Sequence, residues 1–118
     1  MYSLGIESTA HTIGCSVIKV DSQKIGGKPK CKILSDVRAV YKAPTGSGIH
    51  PREASHHHCD KAPYILKKSL NDSGIKAAQL DLIAYSAGPG LGPCLRVGAV
   101  LARAIAAYHN KPLVPVNH

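Results

Sequence analysis

Residues 84–118 read AYSAGPGLGPCLRVGAVLARAIAAYHNKPLVPVNH, and the reading of this stretch decides the fold. An apolar run ending in Ala84-Tyr85 feeds Ser86-Ala87-Gly88-Pro89-Gly90-Leu91-Gly92-Pro93. A helical pattern over 95–109 follows, stops at Lys111-Pro112, and gives way to a second apolar run, Leu113-Val114-Pro115-Val116, that ends in Asn117-His118. Strand, glycine-rich turn, helix and strand in that order make an α/β unit, and such a turn brings backbone N–H groups up to a ligand at the carboxyl edge of a sheet. The turn is not a phosphate loop, since it lacks G-K-[ST], and not a dinucleotide fingerprint, since Pro93 stands where the third glycine belongs. In the helix, Val97, Val100, Leu101, Ala104, Ile105 and Tyr108 recur as one apolar face and predict the buried side, while Gly98, Ala99, Ala102, Ala106 and Ala107 permit close approach to a neighbour.

Upstream, residues 2–6 and 12–20 are rich in β-formers, and the polar connection Glu7-Ser8-Thr9-Ala10-His11 between them predicts an antiparallel hairpin. A second turn over 21–29, with Gly26-Gly27 and Pro29, leads to a third strand over 31–41. Residues 42–50 are a loop, and Pro51 suits the first position of a helix that runs to about Leu70, with Pro63 kinking or breaking it. Its inward face is Ala54, His58, Ala62, Ile65, Leu66 and Leu70, and Gly74 is placed as a C-terminal cap. Leu82-Ile83-Ala84-Tyr85 suits a strand buried in a sheet covered on both sides. The order β-β-β-α-β-α-β, a meander followed by two crossovers, predicts one α/β domain over 1–118 with a ribonuclease-H-like layer. Such a layer brings the 7–11 tip, the 86–93 loop and His118 to one edge.

At 118 residues with 44% hydrophobic and 19% charged side chains, the chain is globular, and without Trp or Phe its core is aliphatic. Fifteen Lys and Arg against seven acids leave a formal charge of +8, which favours polyanions such as RNA. Lys24, Lys28, Lys30 and Lys32 cluster around the second turn, as a solvated basic surface or as a nucleic-acid contact. The four cysteines show no C-x-x-C spacing, which points to free thiols in a reducing cytoplasm, and no basic leader with an apolar core opens the chain. The most apolar segment, 97–108, carries Arg103 and falls short of the ~20 residues of a membrane span, so no membrane partner is expected.

Several residues can carry chemistry. Glu7, Ser8 and Thr9 put an acid and two hydroxyls on a tight turn, which suits a phosphate-bound metal or a positioned water, although turns favour these residues anyway. Arg96, one turn into the second helix, suits a phosphate, a carboxylate or a surface ion pair. His56-His57-His58 is not one metal site, because consecutive helical side chains diverge by ~100°; only His58 shares the inward register. His118, at a strand end, is a potential ligand for zinc or iron, but a divalent ion needs three or more protein ligands.

Four motifs in order then resemble the archaeal branch of the Kae/TsaD family: Leu4-Gly5-Ile6-Glu7-Ser8-Thr9-Ala10-His11-Thr12; Gly48-Ile49-His50-Pro51-Arg52-Glu53-Ala54-Ser55 with His57-His58; residues 86–93 with Leu95-Arg96-Val97; and residues 111–118. The resemblance covers essentially the whole chain. It implies an actin-like, sugar-kinase-like ATPase fold of two lobes, of which this chain matches the first and lacks the second. It also implies transfer of threonylcarbamoyl from its adenylate to the adenosine next to the tRNA anticodon, and a cytoplasmic location. By resemblance, His118 matches the first histidine of the family's H-x-x-x-H metal motif, whose second histidine lies beyond the chain. The implied cofactors are a divalent metal, iron or alternatively zinc, and ATP or threonylcarbamoyl-adenylate in the full-length protein. Glu7, Ser8 and Thr9 match a phosphate-side hairpin, His58 matches the second histidine of a helical pair, and Gly88, Gly90 and Gly92 match a loop beside the substrate cleft. The implied partners are tRNA and the KEOPS subunits: an atypical Bud-type kinase, a Cgi-type subunit, and a Pcc-type dimerising subunit on helices 51–70 and 93–109.

Two other classes compete. A metallopeptidase lacks support because no H-E-x-x-H is present. A non-catalytic basic module that binds tRNA or scaffolds KEOPS subunits draws on the +8 charge and is compatible with the first reading.

Overall fold

The computed structural model describes residues 1–21 and 27–118. The expected turn through Gly26, and Lys24 with it, lies outside the described residues. Eight elements follow in order: β1 (Tyr2–Glu7), β2 (Thr12–Asp21), β3 (Lys30–Val40), α1 (Pro51–Ser73), a 3₁₀ turn (Ala77–Gln79), β4 (Leu82–Gly88), α2 (Gly92–His109) and β5 (Leu113–Asn117).

One five-stranded sheet runs β3-β2-β1-β4-β5. The first three strands form the antiparallel meander, and β4 joins β1 in parallel, with Leu4 beside Ile83 and Ile6 beside Tyr85. Strand β5 then adds in parallel to β4. This is the ribonuclease-H-like α/β order that the sequence predicts, with β1 at the centre and the carboxyl ends of β1, β4 and β5 on one edge.

Period-two alternation sorts the sheet residues. Leu4, Ile6, Cys15, Val17, Val37 and Ile83 point to one face, where Ala62 and Ile65 of α1 and Ala102, Ile105 and Ala106 of α2 cover them. Both helices therefore lie on the same side. The other face carries Gly5, Ser16, Asp36 and Arg38, with Val114 and Val116 exposed on β5. The expectation of a sheet covered on both sides is corrected: among the described residues only one face has helices. Cys15 and Cys94 are buried and Cys31 and Cys59 exposed, all free, and burial pushes the Cys15 thiol up to about 12.

Helix α1 runs unbroken through Pro63 to Ser73, three residues past the expected end. Pro63 removes one backbone donor, but it sits on the exposed side, where the freed Cys59 carbonyl is open to water rather than buried. Gly74 does cap it, in the left-handed region at φ 72, its N–H donating to the Asn71 carbonyl. Helix α2 departs further from expectation. Its buried residues are Cys94, Gly98, Ala102, Ile105 and Ala106, whereas Val100 and Tyr108 are 63% and 85% exposed. Small residues and Ile105 face the sheet, and the other larger apolar residues flank or leave it.

Candidate functional site

The three parallel strands end together, and hydrogen bonds tie their carboxyl ends to one another and to the hairpin tip. The Ser8 N–H donates to Ser86 Oγ at 3.3 Å, the Leu91 N–H donates to the Thr9 carbonyl at 2.7 Å, and the His118 N–H donates to the Gly88 carbonyl at 2.8 Å. The tip, the glycine loop and His118 thus form one edge, as the strand order predicts.

At this edge the Glu7 carboxylate is held from both sides. Its Oε1 accepts the Thr9 N–H at 2.6 Å and the Thr9 hydroxyl, while Oε2 lies 3.4 Å from His118 Nε2. Both side chains remain open to solvent, His118 at 55% and Glu7 at 38%. A cleft of about 380 Å³ is lined by Glu7, Thr9, His11, Thr12, Arg38 and His118. Arg38 leans on Asp36 at 2.8 Å, and both are exposed. The cleft offers a carboxylate to accept a proton, a guanidinium and imidazoles to meet an anion, and a hydroxyl to orient either.

Other expected site residues have different positions. Ser8 is fully buried, and its Oγ, pressed against Gly98 of α2, has no hydrogen-bond partner among the described residues. His58 is also fully buried; it supports the tip from beneath through the Ala10 carbonyl, 2.7 Å from Nε2, and does not line the cleft. The three loop glycines separate. Gly90 is stacked on Thr9, where a Cβ would come within 2.5 Å of the Thr9 carbonyl oxygen; Gly88 has a positive φ of 152; Gly92 opens α2 with empty space around it. Arg96 lines a groove between the helices with Cys59, Ala62, Val97, Val100 and Leu101 and is not among the residues that line the cleft.

Sequence reasoning passed over Arg38, and it gave Ser86 and Gly98 no contact with the hairpin tip. Arg38 had a signal, since it shares with Asp36 the polar phase of a strand whose other phase, Ser35 and Val37, is buried. Gly98 had none beyond being small in a run of small residues.

Among the described residues no three His, Cys, Asp or Glu side chains converge as a metal site. His118 and Glu7 do not by themselves hold an ion. No helix of the described residues is long and apolar enough to cross a membrane.

Comparison with known proteins agrees with this layout. The sequence profile of tRNA N6-adenosine threonylcarbamoyltransferase matches residues 32–118. The protein of that name from Ignicoccus hospitalis is 51% identical over all 118 residues, and those from Pyrobaculum islandicum and Methanopyrus kandleri are 50% and 48% identical. The chain spans about a third of the length of these curated relatives, 33% of the first. Among solved structures, YeaZ from Pseudomonas aeruginosa superposes with a TM-score of 0.69 at 14% identity, covering 99% of this chain and 45% of that one. Thermus thermophilus RuvC superposes at 0.59 with 13% identity, covering 99% of this chain and 62% of that one. At such identities the likeness speaks for the fold alone.

Proposed function

We propose a function on the premise that the chain belongs to the TsaD family, tRNA N6-adenosine threonylcarbamoyltransferase: it is the first lobe of a two-lobed enzyme that moves threonylcarbamoyl from its adenylate to a tRNA adenosine. The observation that carries this reading is the convergence of Glu7, Thr9 and His118 at one sheet edge, in a chain half identical to proteins named for that reaction. In this assignment Glu7, Thr9 and Arg38 face the phosphate side of the adenylate. His118 is one donor to an iron or zinc ion whose remaining donors do not gather beside it among the described residues. Gly88 to Gly92 form a wall of the cleft, and the enzyme works in the cytoplasm.

The test uses the full-length protein with tRNA, ATP-derived adenylate and mass analysis of the modified nucleoside. Glu7→Ala and His118→Ala are each expected to lower modification at least ~100-fold, the scale of a lost electrostatic or proton-transfer group. Unchanged modification by both variants overturns the assignment.

A second reading, a tRNA-binding and scaffolding role, is favoured by the hairpin of β2 and β3, where Lys19 lies directly opposite Lys32 and exposed Lys28 and Lys30 follow. Like charges opposed across strands destabilise a sheet, and a polyanion relieves them. The apolar groove of Cys59, Ala62, Pro63, Val97, Val100 and Leu101 suits the helical pair of a Pcc-type subunit in a KEOPS assembly with Bud-type and Cgi-type proteins. Affinity for tRNA that falls steeply with salt supports the binding role; a flat salt profile removes it.

A further inference from the structure

His58 has both ring nitrogens engaged in the core. Its Nε2 lies 2.7 Å from the Ala10 carbonyl oxygen, and its Nδ1 lies 2.9 Å from Nδ1 of His57. A carbonyl oxygen only accepts, so Nε2 carries a hydrogen. His58 is completely buried, and desolvation lowers its pKa, which keeps the ring neutral and leaves Nδ1 bare. The hydrogen between the two rings therefore belongs to His57 Nδ1. Two adjacent imidazoles are locked in opposite tautomers, and the donors run one way, from His57 to His58 to the Ala10 carbonyl.

The same tip is gripped from a second side. The Tyr41 N–H donates to the His11 carbonyl at 2.7 Å, the Tyr41 ring packs against His57 with centroids 5.8 Å apart, and the Tyr41 hydroxyl donates to Glu53 at 2.7 Å. Ala10 and His11 directly follow Thr9, whose N–H and hydroxyl hold the Glu7 carboxylate.

We propose that His57 and His58 are positioning residues whose one-way relay fixes the tip of the β1–β2 hairpin and so aims the Glu7 carboxylate at His118. The proposal rests on the reading of this edge as the reacting site, but the relay itself is observable without any substrate. The charged and titratable groups around it are Glu7 and His11 from the hairpin, Asp60 and Lys61 from α1 itself, and Glu53 through Tyr41. The pair accommodates one added proton, on the bare Nε2 of partly exposed His57. A second would set two N–H groups head to head and break the link.

Two-bond proton–nitrogen NMR correlation on the histidine-labelled chain, above neutral pH, reads the tautomers directly. The expected pattern is an Nε2–H ring for His58 and an Nδ1–H ring for His57. His57→Gln keeps an N–H donor and His57→Leu removes it, and neither empties a fully buried site. In His57→Leu the His58 tautomer signature, the amides of residues 8–11 and the His118 ring are expected to shift by more than a linewidth; in His57→Gln they stay near their original positions. Tautomers that exchange freely in the unaltered chain overturn the proposal, as does a leucine variant that moves nothing or a glutamine variant that moves the tip equally. Failure of transferase activity to respond to Glu7→Ala, by contrast, would strike the proposed function and leave the relay standing.

Discussion

The two sides of α2 obey opposite rules. Where the helix meets the hairpin tip, residues are small because a larger one would collide. A Cβ on Gly98 would overlap Ser8 Oγ and come within 3.2 Å of Ser8 Cβ, and just before the helix a Cβ on Gly90 would meet the Thr9 carbonyl oxygen at 2.5 Å. On the outward side, Val100 and Tyr108 stand largely in solvent. Hydropathy alone places Ile105 correctly but puts Val100 and Tyr108 inside and gives Gly98 no weight. The difference teaches that near the tip this helix is seated by backbone proximity, so that small side-chain volume marks the buried face there, while apolarity marks it at Ile105.

The sharpest way to break the comparison is Gly90→Ala. The obstructing atom is backbone, already accepting the Leu91 N–H, and cannot rotate away. The expected loss is about 3 kcal/mol or more in denaturant unfolding, at the upper end of overpacking effects. A loss under ~1 kcal/mol would mean that the loop and the tip are not in contact.

Gly98→Ala should cost somewhat less, about 2–3 kcal/mol, because its nearest obstacle is a side-chain oxygen. Adding Ser8→Ala removes that oxygen and is expected to return ~1–2 kcal/mol, which a double-mutant cycle isolates. Strict additivity of the two changes would show that Ser8 and Gly98 do not touch.

Protonation sharpens the same contrast from beneath the tip. Burial depresses the pKa of His58, and of His57 with it, so the unfolded chain binds protons more readily than the folded one. Their contribution is therefore fully present above the unfolded value of about 6.5 and lost as pH falls through the depressed folded values. The expected slope is up to about 1.4 kcal/mol per pH unit for each proton. His58→Gln, which cannot take up a proton, should flatten this part of the stability–pH curve, and an unchanged slope would assign the pH dependence to other groups.

Much of this architecture was legible in the chain. The meander, both helices, the Gly74 cap and the convergence of tip, loop and His118 all follow from turn chemistry and strand order, signals local enough to read one segment at a time. What stayed hidden depends on which surfaces meet. The α2 register was read only in part: its larger apolar residues put Val100 and Tyr108 inside with Ile105, and Gly98 and Ala102, legible as points of close approach, were not weighed as the buried face itself. The bare sheet face was missed because Leu82-Ile83-Ala84-Tyr85 looks like a fully enclosed strand, and only the partners of Ala84, which are Gly5 and Val114, reveal its uncovered side. At the site, His58 reads equally as ligand or as core from spacing, and its two ring contacts decide for a buried support.

Ser8→Ala alone separates packing from chemistry. It removes a buried hydroxyl that has no partner among the described residues, so a gain of up to ~1 kcal/mol is expected. If modification of tRNA by the full-length variant falls while stability rises, the hydroxyl is retained for a ligand and becomes accessible to it. If neither changes, Ser8 is a filler under α2.

The smallest effect is the most discriminating for the glycine loop. Gly92 differs from Gly90 by two positions, yet a Cβ there would meet nothing within 4 Å, and its φ is not positive. As the first residue of α2 it has room for alanine, and the reduced freedom of the unfolded chain favours the change by about 0.5 kcal/mol, against which stands only Pro93, whose ring disfavours helical backbone in a preceding residue that bears a Cβ. Nothing in the packing of this domain requires glycine there. A stability gain joined to a loss of tRNA modification in the full-length protein would then mean that Gly92 keeps its backbone bare for a molecule approaching the cleft. Unchanged modification would confine the loop's glycine requirement to Gly90 and the hairpin it touches.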